Sequence, residues 1–344
     1  MTVRKNRIRL VGALLALVLS LSLGGCAVRE GSADDGRLRV VTTLFPYYDF
    51  ARAVAGDRAD VTLLLAPGRE AHSFEPTPLD AVTISRADIF IYNGGEGEVW
   101  ADDMLDAVGE DIGTVLRMMD FVDAREEEFS EGMQGADSHD HAHDHGHDHD
   151  HDHELHDHAE HDHDDSDEIE YDEHIWTSPK NAIRLCRAVA HALCAADAEN
   201  TDLYRANCED YCAQLGALDA DLRALRANAV RDLLIFADRF PFLYFCEEYD
   251  LHYRAAFHGC SGDTEPSLAT LKYLIDKVND EHIPVVYTID LSSQKVAEAV
   301  SECTGARIKR LWSMQTISRT DFDAGETYLT LMQRNYEALK GGLL

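Results

Sequence analysis

The chain has 344 residues, with 31 Lys and Arg against 64 Asp and Glu, for a formal net charge of −33. Such a balance repels a phosphate backbone and excludes nucleic acid as a partner, and it favours cations. An apolar content of 45% is that of a packed globular protein, and the length suits two domains at roughly 150 residues each.

Arg4, Lys5, Arg7 and Arg9 form a basic start, and Leu10 to Leu23 form an apolar run. The run is too short to span a membrane and has the build of a secretory signal. It ends in Leu23-Gly24-Gly25-Cys26, which resembles a bacterial lipobox. The small residues suit the cleavage site, and the Cys26 thiol is placed to accept a diacylglycerol. The expectation is a mature chain beginning at lipidated Cys26, extracytoplasmic and anchored to the cell membrane by its acyl chains. Residues 27–36, polar and Gly-containing, read as a flexible tether.

Beyond the tether, short apolar runs alternate with helical patterns. RLRVVTTLF (37–45), ADVTLLLA (59–66), ADIFIYNG (87–94) and GTVLRMM (113–119) have the length and β-branched content of buried strands. Between them YYDFARAVAG, PTPLDAVTISRA and GEVWADDMLDAVG carry apolar residues at helical spacing, with Pro76 and Pro78 marking a helix start. Alternation of this kind implies a parallel sheet covered by helices on both faces.

The pattern stops near residue 121. From about 124 to 168 the chain is acidic and low in complexity, and disorder is expected there because the segment has too little apolar surface to offset its ordering entropy. Within it His139, His141, His143, His145, His147, His149, His151, His153, His156, His158, His161 and His163 alternate largely with acids. Neutral imidazoles ligate zinc, and the interleaved carboxylates raise the local cation concentration. A disordered segment must be ordered at each binding event, so the run suits low-affinity, fast-exchanging capture.

Periodicity resumes at YDEHIWTSPKNA (171–182). A helix is expected over 179–195, then a longer one over roughly 199–230 whose Leu, Tyr and Ala recur at three- and four-residue spacing. The strand–helix alternation then restarts with strands at 233–239, 253–257, 284–290 and 307–313. EPSLATLKYLIDKVNDE and SQKVAEAVSECTG form helices, and a final helix covers roughly 326–340. The expected architecture is α/β, with two similar lobes built on parallel sheets, about 37–180 and 231–344. Helices across 181–230, including one long rigid helix, join the lobes. Ligands in such lobes bind at the carboxyl ends of strands, here in the cleft between the lobes.

Seven cysteines follow Cys26, an odd number that cannot be wholly paired within one chain. There is no CxxC, so neither a zinc ribbon nor a dithiol redox motif is supported. Cys208 and Cys212 lie one helical turn apart, and most of the seven read as plain buried or half-buried thiols. That many thiols suggest a poorly oxidising habitat.

Several metal-ligating side chains sit just past strand ends. His72 lies in a Gly/Pro-rich loop after strand 59–66, and His174 stands beside acids before a helix start. Asp290 and Asp238 end apolar strands, where a carboxylate must be hydrogen-bonded or bind a cation. His258 and Cys260 follow strand 253–257. Imidazole and carboxylate at a four-coordinate site suit zinc, and a larger carboxylate share shifts the preference toward manganese.

These residues lie in phrases that resemble the metal-specific solute-binding lipoproteins of bacterial ABC importers, zinc branch. The resemblance covers almost the whole chain. It is carried by the lipobox, VVTTLFPYYDFARAVAGD, PGREAHSFEPTP, ADIFIYNGG, DEHIWTSPKNA, the long linking helix and GETYLTLMQRNYEALK. It implies His72 as first ligand, His174 as second, an acid matching Asp290 as fourth, and a His or Glu after the first strand of the second lobe as third. At that third position FADRFPFLYF has no His. Asp238 stands at the strand end and His258 follows some twenty residues on. With Asp238 the set is closer to a manganese pattern, and with His258 it is closer to zinc; the twelve-histidine run favours Zn2+.

The function expected is high-affinity zinc binding between two lobes, with delivery to an ABC permease and its separate ATPase subunit by a monomeric, membrane-anchored receptor. The absence of GxxxxGK[ST] places ATP hydrolysis elsewhere. HExxH and GxSxG are also missing, which argues against a metallohydrolase, so no reaction is expected of this chain. A manganese or iron receptor of the same class, or a surface zinc chaperone or buffer without a transporter, are the alternatives.

Overall fold

A computed structural model describes residues 36–109, 112–133, 170–259, 261 and 265–344. The signal-like leader, Cys26, most of the tether, the twelve histidines of the acidic insert and Cys260 lie outside the described residues. Among the described residues, no helix is long and apolar enough to cross a membrane.

The first half runs β1 (Leu38–Thr42), α1 (Phe45–Ala55), β2 (Ala59–Leu63), α2 (Pro78–Ser85), β3 (Ile89–Tyr92), α3 (Val99–Val108) and β4 (Thr114–Arg117). Two helices follow, α4 (Pro179–Ala196) and α5 (Thr201–Ala227). The second half runs β5 (Leu233–Phe240), α6 (Leu243–Glu248), β6 (His252–His258), α7 (Leu268–Asp280), β7 (Val285–Ile289), α8 (Lys295–Thr304), β8 (Arg307–Leu311), α9 (Arg319–Asp323) and α10 (Tyr328–Leu343).

Both four-stranded sheets are parallel and repeat one order, β2-β1-β3-β4 and β6-β5-β7-β8. The α/β architecture with parallel sheets is therefore as expected. Every residue of β3 and of β7 is buried, the pattern of strands covered on both faces. In each sheet the chain reverses its direction of travel between the first and third strands, β1/β3 and β5/β7. Such reversal points open a crevice at the carboxyl ends of the strands. Asp238 on β5 and Asp290 just after β7 stand at the second crevice.

Local chemistry sets the boundaries. The expected strand 37–45 stops at Thr42 because Pro46 takes one of the first positions of α1, where its missing N–H is no loss. Thr77 caps α2 in a reciprocal capping box with Asp80, and Ser178 caps α4 ahead of Pro179. Gly305, at φ +78°, supplies the left-handed residue that ends α8. The short helices α6 and α9 fall where sequence periodicity assigns nothing, since five or six residues are too few to show a period.

Helices α4 and α5 pack antiparallel. Contacts between Cys194 and Thr201 at the turn, Cys186 and Cys208 further on, and Ile183 and Cys212 beyond those fix the pairing. The 27 residues of α5 give it a length of about 40 Å at ~1.5 Å per residue.

The two halves meet through buried polar bonds. Asp49 Oδ2 on α1 accepts from the Tyr211 hydroxyl on α5 at 2.7 Å and from the Tyr328 N–H of α10 at 3.0 Å. The Tyr328 hydroxyl donates to the Trp176 carbonyl at 2.6 Å, and Trp176 Nε1 donates to the Ser313 carbonyl at 2.7 Å. Trp176 is fully buried and meets Tyr47 edge-on at 6.1 Å between ring centroids. Asp49→Ala strands a buried hydroxyl and a buried N–H. The expected loss is roughly 2–4 kcal/mol of unfolding free energy, read from the midpoint of a denaturant titration with an unchanged slope.

Candidate metal centre

His72 sits in the loop after β2. That loop is tied to the second half by Gly68 N–H donating to the Ile317 carbonyl at 2.7 Å, with Gly68 at φ +83°. His174 sits just before the 3₁₀ turn Ile175–Thr177 and is almost wholly buried. Asp172 Oδ1 accepts from the His174 backbone N–H at 2.8 Å and lies 3.3 Å from its Nδ1. With the Nδ1 proton directed at Asp172, Nε2 carries the lone pair, the arrangement that orients a metal-ligating imidazole.

The two rings meet edge-on, with centroids 6.2 Å apart and planes inclined at 63°. Both Nε2 atoms are buried and meet no hydrogen-bond partner. Buried nitrogens are rarely left unpaired, because each loses its water without replacement. A cation shared by the two lone pairs removes that cost.

A glycine-rich turn positions the His174 member of this pair. Gly97 N–H donates to Glu173 Oε1 at 2.7 Å, and Asn93 Nδ2 donates to the Glu173 carbonyl at 3.0 Å. A Cβ on Gly95, at φ +92°, would stand 2.5 Å from Glu173 Oε1, so the turn closes on Glu173 only without a side chain there. Gly259, at the end of β6, has the same role. A Cβ there would lie 2.8 Å from His174 Cε1 and 3.1 Å from the Phe240 carbonyl.

The other expected ligands form a wider rim. Asp238 is buried, and its two oxygens accept from the N–H groups of Arg239 at 2.9 Å and Ile289 at 3.2 Å. It thereby braces β5 against β7. Asp290 Oδ1 accepts from Ser313 N–H at 2.5 Å. Leu291 and Met314, which follow Asp290 and Ser313, adopt φ of +59° and +62°, a conformation that costs non-glycine residues on the order of 1 kcal/mol each and clusters at functional sites. His258 Nδ1 lies 3.1 Å from Glu127 Oε1. Among the described residues, His72, His174, Asp238, His258 and Asp290 do not form a closed cage, since no three of their donor atoms come within 4.8 Å of one another. The pair brought together is His72 and His174.

Two acids escaped the sequence reading. Glu70, two residues before His72, accepts a two-pronged contact from Arg239, 3.2 Å at each oxygen. Glu127 lay inside the stretch assigned to the disordered insert. Residues 124–133 are in fact held in place. Glu126 bridges Tyr171 in antiparallel fashion, Glu127 N–H donates to the Glu170 carbonyl at 2.9 Å, and Met133 is buried in the core. The two edges of the insert thus pair, and the negative charge of Glu127 acts on both His72 and His174. The hydrophobic Phe129 within EEEFSEGM was the available signal.

Burial, with the neighbouring His174 charge adding to it, lowers the His72 pKa to about 4. Burial also opposes a charge on His174, but Asp172, Glu173 and Glu127 outweigh it and raise the His174 pKa. Burial raises Asp238 and Asp290 as well, with Glu70 adding to the effect at Asp290. His72 therefore offers a neutral nitrogen at neutral pH, whereas His174 holds its proton to higher pH than a free imidazole does, against the demand of a cation for its neutral form.

Two repeated parallel α/β units, with a pair of neighbouring buried imidazoles and an antiparallel helix pair in the chain between the two sheets, define a two-lobed ligand-binding protein of the periplasmic type. The family model for ZnuA, the zinc-uptake complex component A, periplasmic, matches residues 40–342, and the chain belongs to this family. It is 30% identical to the high-affinity zinc uptake system protein ZnuA of Bacillus subtilis over 336 residues, 96% of each chain. It is also 30% identical to the zinc-binding lipoprotein AdcA of Streptococcus pneumoniae over 333 residues, 96% of this chain but 60% of AdcA, so it spans little more than half of that relative. Among solved structures, the Zn(II)-bound ZnuA-like domain of Streptococcus pneumoniae AdcA superposes with a TM-score of 0.68 at 26% identity, covering 90% of this chain and 99% of that one. The metal-dependent lipoprotein YcdH of Bacillus subtilis gives 0.70 at 27% identity, covering 90% and 100%.

Because the His72 pKa is lowered to about 4 and that of His174 is raised from 6.5, cation binding displaces a proton from His174 at pH values between these two. Affinity therefore falls as pH falls. His72 adds a second proton only as pH approaches 4. Metal titrations at a series of pH values check the slope, and a pH-independent affinity over that range contradicts the assignment.

Proposed function

We propose that this chain is an extracytoplasmic, lipid-anchored receptor that binds Zn2+ between its two lobes and hands it to an ABC permease. The observation that carries the reading is the pair of neighbouring imidazoles, His72 and His174, whose Nε2 atoms are both buried and unpartnered. Neutral imidazole is a preferred zinc donor, and the oriented Asp172–His174 contact is the support such a ligand needs. Family membership and the zinc-bound fold relative support the same cargo.

The remaining coordination comes from the rim. His258 with its partner Glu127 approaches from the end of β6, and Asp290 from the end of β7. Asp238, with both oxygens on backbone N–H groups, is the weaker candidate for third ligand. The histidine-rich insert captures zinc at low affinity and raises its concentration at the cleft, and Cys26 carries the anchor. The chain acts as a monomer and catalyses no reaction; ATP hydrolysis belongs to the transporter's ATPase subunit.

Calorimetric zinc titration tests each part. His72→Ala and His174→Ala are each expected to weaken the tight site by at least about a hundredfold. Deleting residues 137–167 should leave that affinity intact and lower the number of ions bound. Tight binding that survives in the His72/His174 double variant rules out the cleft site. Between Asp238→Ala and His258→Ala, the larger loss identifies the third ligand, and competition with Mn2+ separates zinc from manganese selectivity.

A further inference from the structure

A second cluster of metal-ligating side chains lies away from the strand ends, in the seam between α4 and α5. Cys186 on α4 meets Cys208 and Cys212, one turn apart on α5, and the three sulfurs lie within 4.8 Å of one another. Cys208 Sγ and Cys212 Sγ are 3.8 Å apart. All three residues are buried in the main hydrophobic core. We propose that Cys186, Cys208 and Cys212 form a three-sulfur site for a soft monovalent cation, Cu(I), separate from the zinc cleft.

Geometry and donor count choose the ion. Three sulfurs at about 2.3 Å from a central first-row ion stand about 4.0 Å apart in a trigonal plane, close to the spacing already present. Soft thiolates select Cu(I), zinc or iron–sulfur clusters. A structural zinc site takes four ligands and an iron–sulfur cluster takes four cysteines. Among the described residues, no fourth His, Cys, Asp or Glu joins this group. A three-coordinate d10 ion is the one that such a set completes.

The surroundings prepare the sulfurs. Hydrogen bonds from Cys186 and Cys208, with the Arg187 guanidinium nearby, hold the Cys212 thiol far below its usual pKa, while the Cys186 thiol is pushed up. Cys212 is thereby the first of the three sulfurs to lose its proton, and Arg187 offsets part of the negative charge that a tris-thiolate Cu(I) site carries. Cys246, buried alone, shows the other outcome: burial raises its thiol and nothing offsets that. On binding, the ion arrives and stays as Cu(I), three Cu–S bonds form, the two remaining S–H protons leave to solvent, and no electron is transferred.

The test is anaerobic titration of the full, reduced chain with Cu(I) held by a chromogenic chelator, beside the C186A/C208A/C212A triple variant. The wild type should take up one Cu(I) more than the variant, and copper-edge X-ray absorption should show three sulfur neighbours. Cu(I) should also protect Cys186, Cys208 and Cys212 from alkylation in the wild type, as mapped by mass spectrometry, a readout independent of the variant's folding. Retained zinc binding in the variant shows that its fold is intact. Equal copper uptake by both proteins, copper bound only through nitrogen or oxygen, or unprotected thiols each overturn the site. So does tighter occupancy of the trio by Zn2+.

Discussion

One bonded path sets the geometry of the cleft. It starts at Asp49 on α1, passes through the Tyr328 N–H and hydroxyl to the Trp176 carbonyl, and continues from Trp176 Nε1 to the Ser313 carbonyl. From Ser313 N–H it ends on Asp290. Every group on this path is buried, where a satisfied polar network is stiff and a broken one is costly. His174 lies two residues from Trp176, with ring centroids 5.6 Å apart, so the same path fixes where its Nε2 points. Secondary structure alone would leave the two sheets free to shift. The path makes them a frame.

A frame of this kind suits the proposed receptor, which must hold a cation and later release it. The two imidazoles already lie side by side in the folded chain, which spares part of the ordering cost of binding. The acids around the pair are held differently. Asp238 is committed to backbone N–H groups, whereas Glu70 and Glu127 sit on loops and reach across to Arg239 and His258 of the second half. The His72 loop, tied through Gly68 to Ile317 and through Glu70 to Arg239, spans both halves and couples its own position to theirs.

The sheets were legible in the sequence because buried parallel strands read as continuous apolar runs, and Ile89–Tyr92 and Val285–Ile289 are such runs. His72 and His174 were legible because each stands in a distinctive phrase beside Pro, Gly or acids. Glu127 was not. It reads as one more acid at the edge of an acidic stretch, and only the pairing of Glu126 with Tyr171 brings it back to the site. Nor could spacing alone reveal how Asp238 is used. A strand-end carboxylate must be hydrogen-bonded or bind a cation, and choosing between them requires knowing that Arg239 and Ile289 turn their N–H groups toward it.

The cysteines show the same limit from the other side. Cys208 and Cys212 are neighbours on any helix of 3.6 residues per turn, but nothing local says that Cys186 faces them. That follows from the antiparallel seam of α4 and α5, which the tight turn at Asp197–Thr201 imposes. The fold thereby sorts donors by softness. Imidazole and carboxylate gather at the strand ends, where a borderline cation such as zinc is well served, and sulfur gathers between helices, where a softer one is. Among the described residues, a thiophilic ion finds three sulfurs together only in the helix seam, apart from the imidazoles and carboxylates of the cleft.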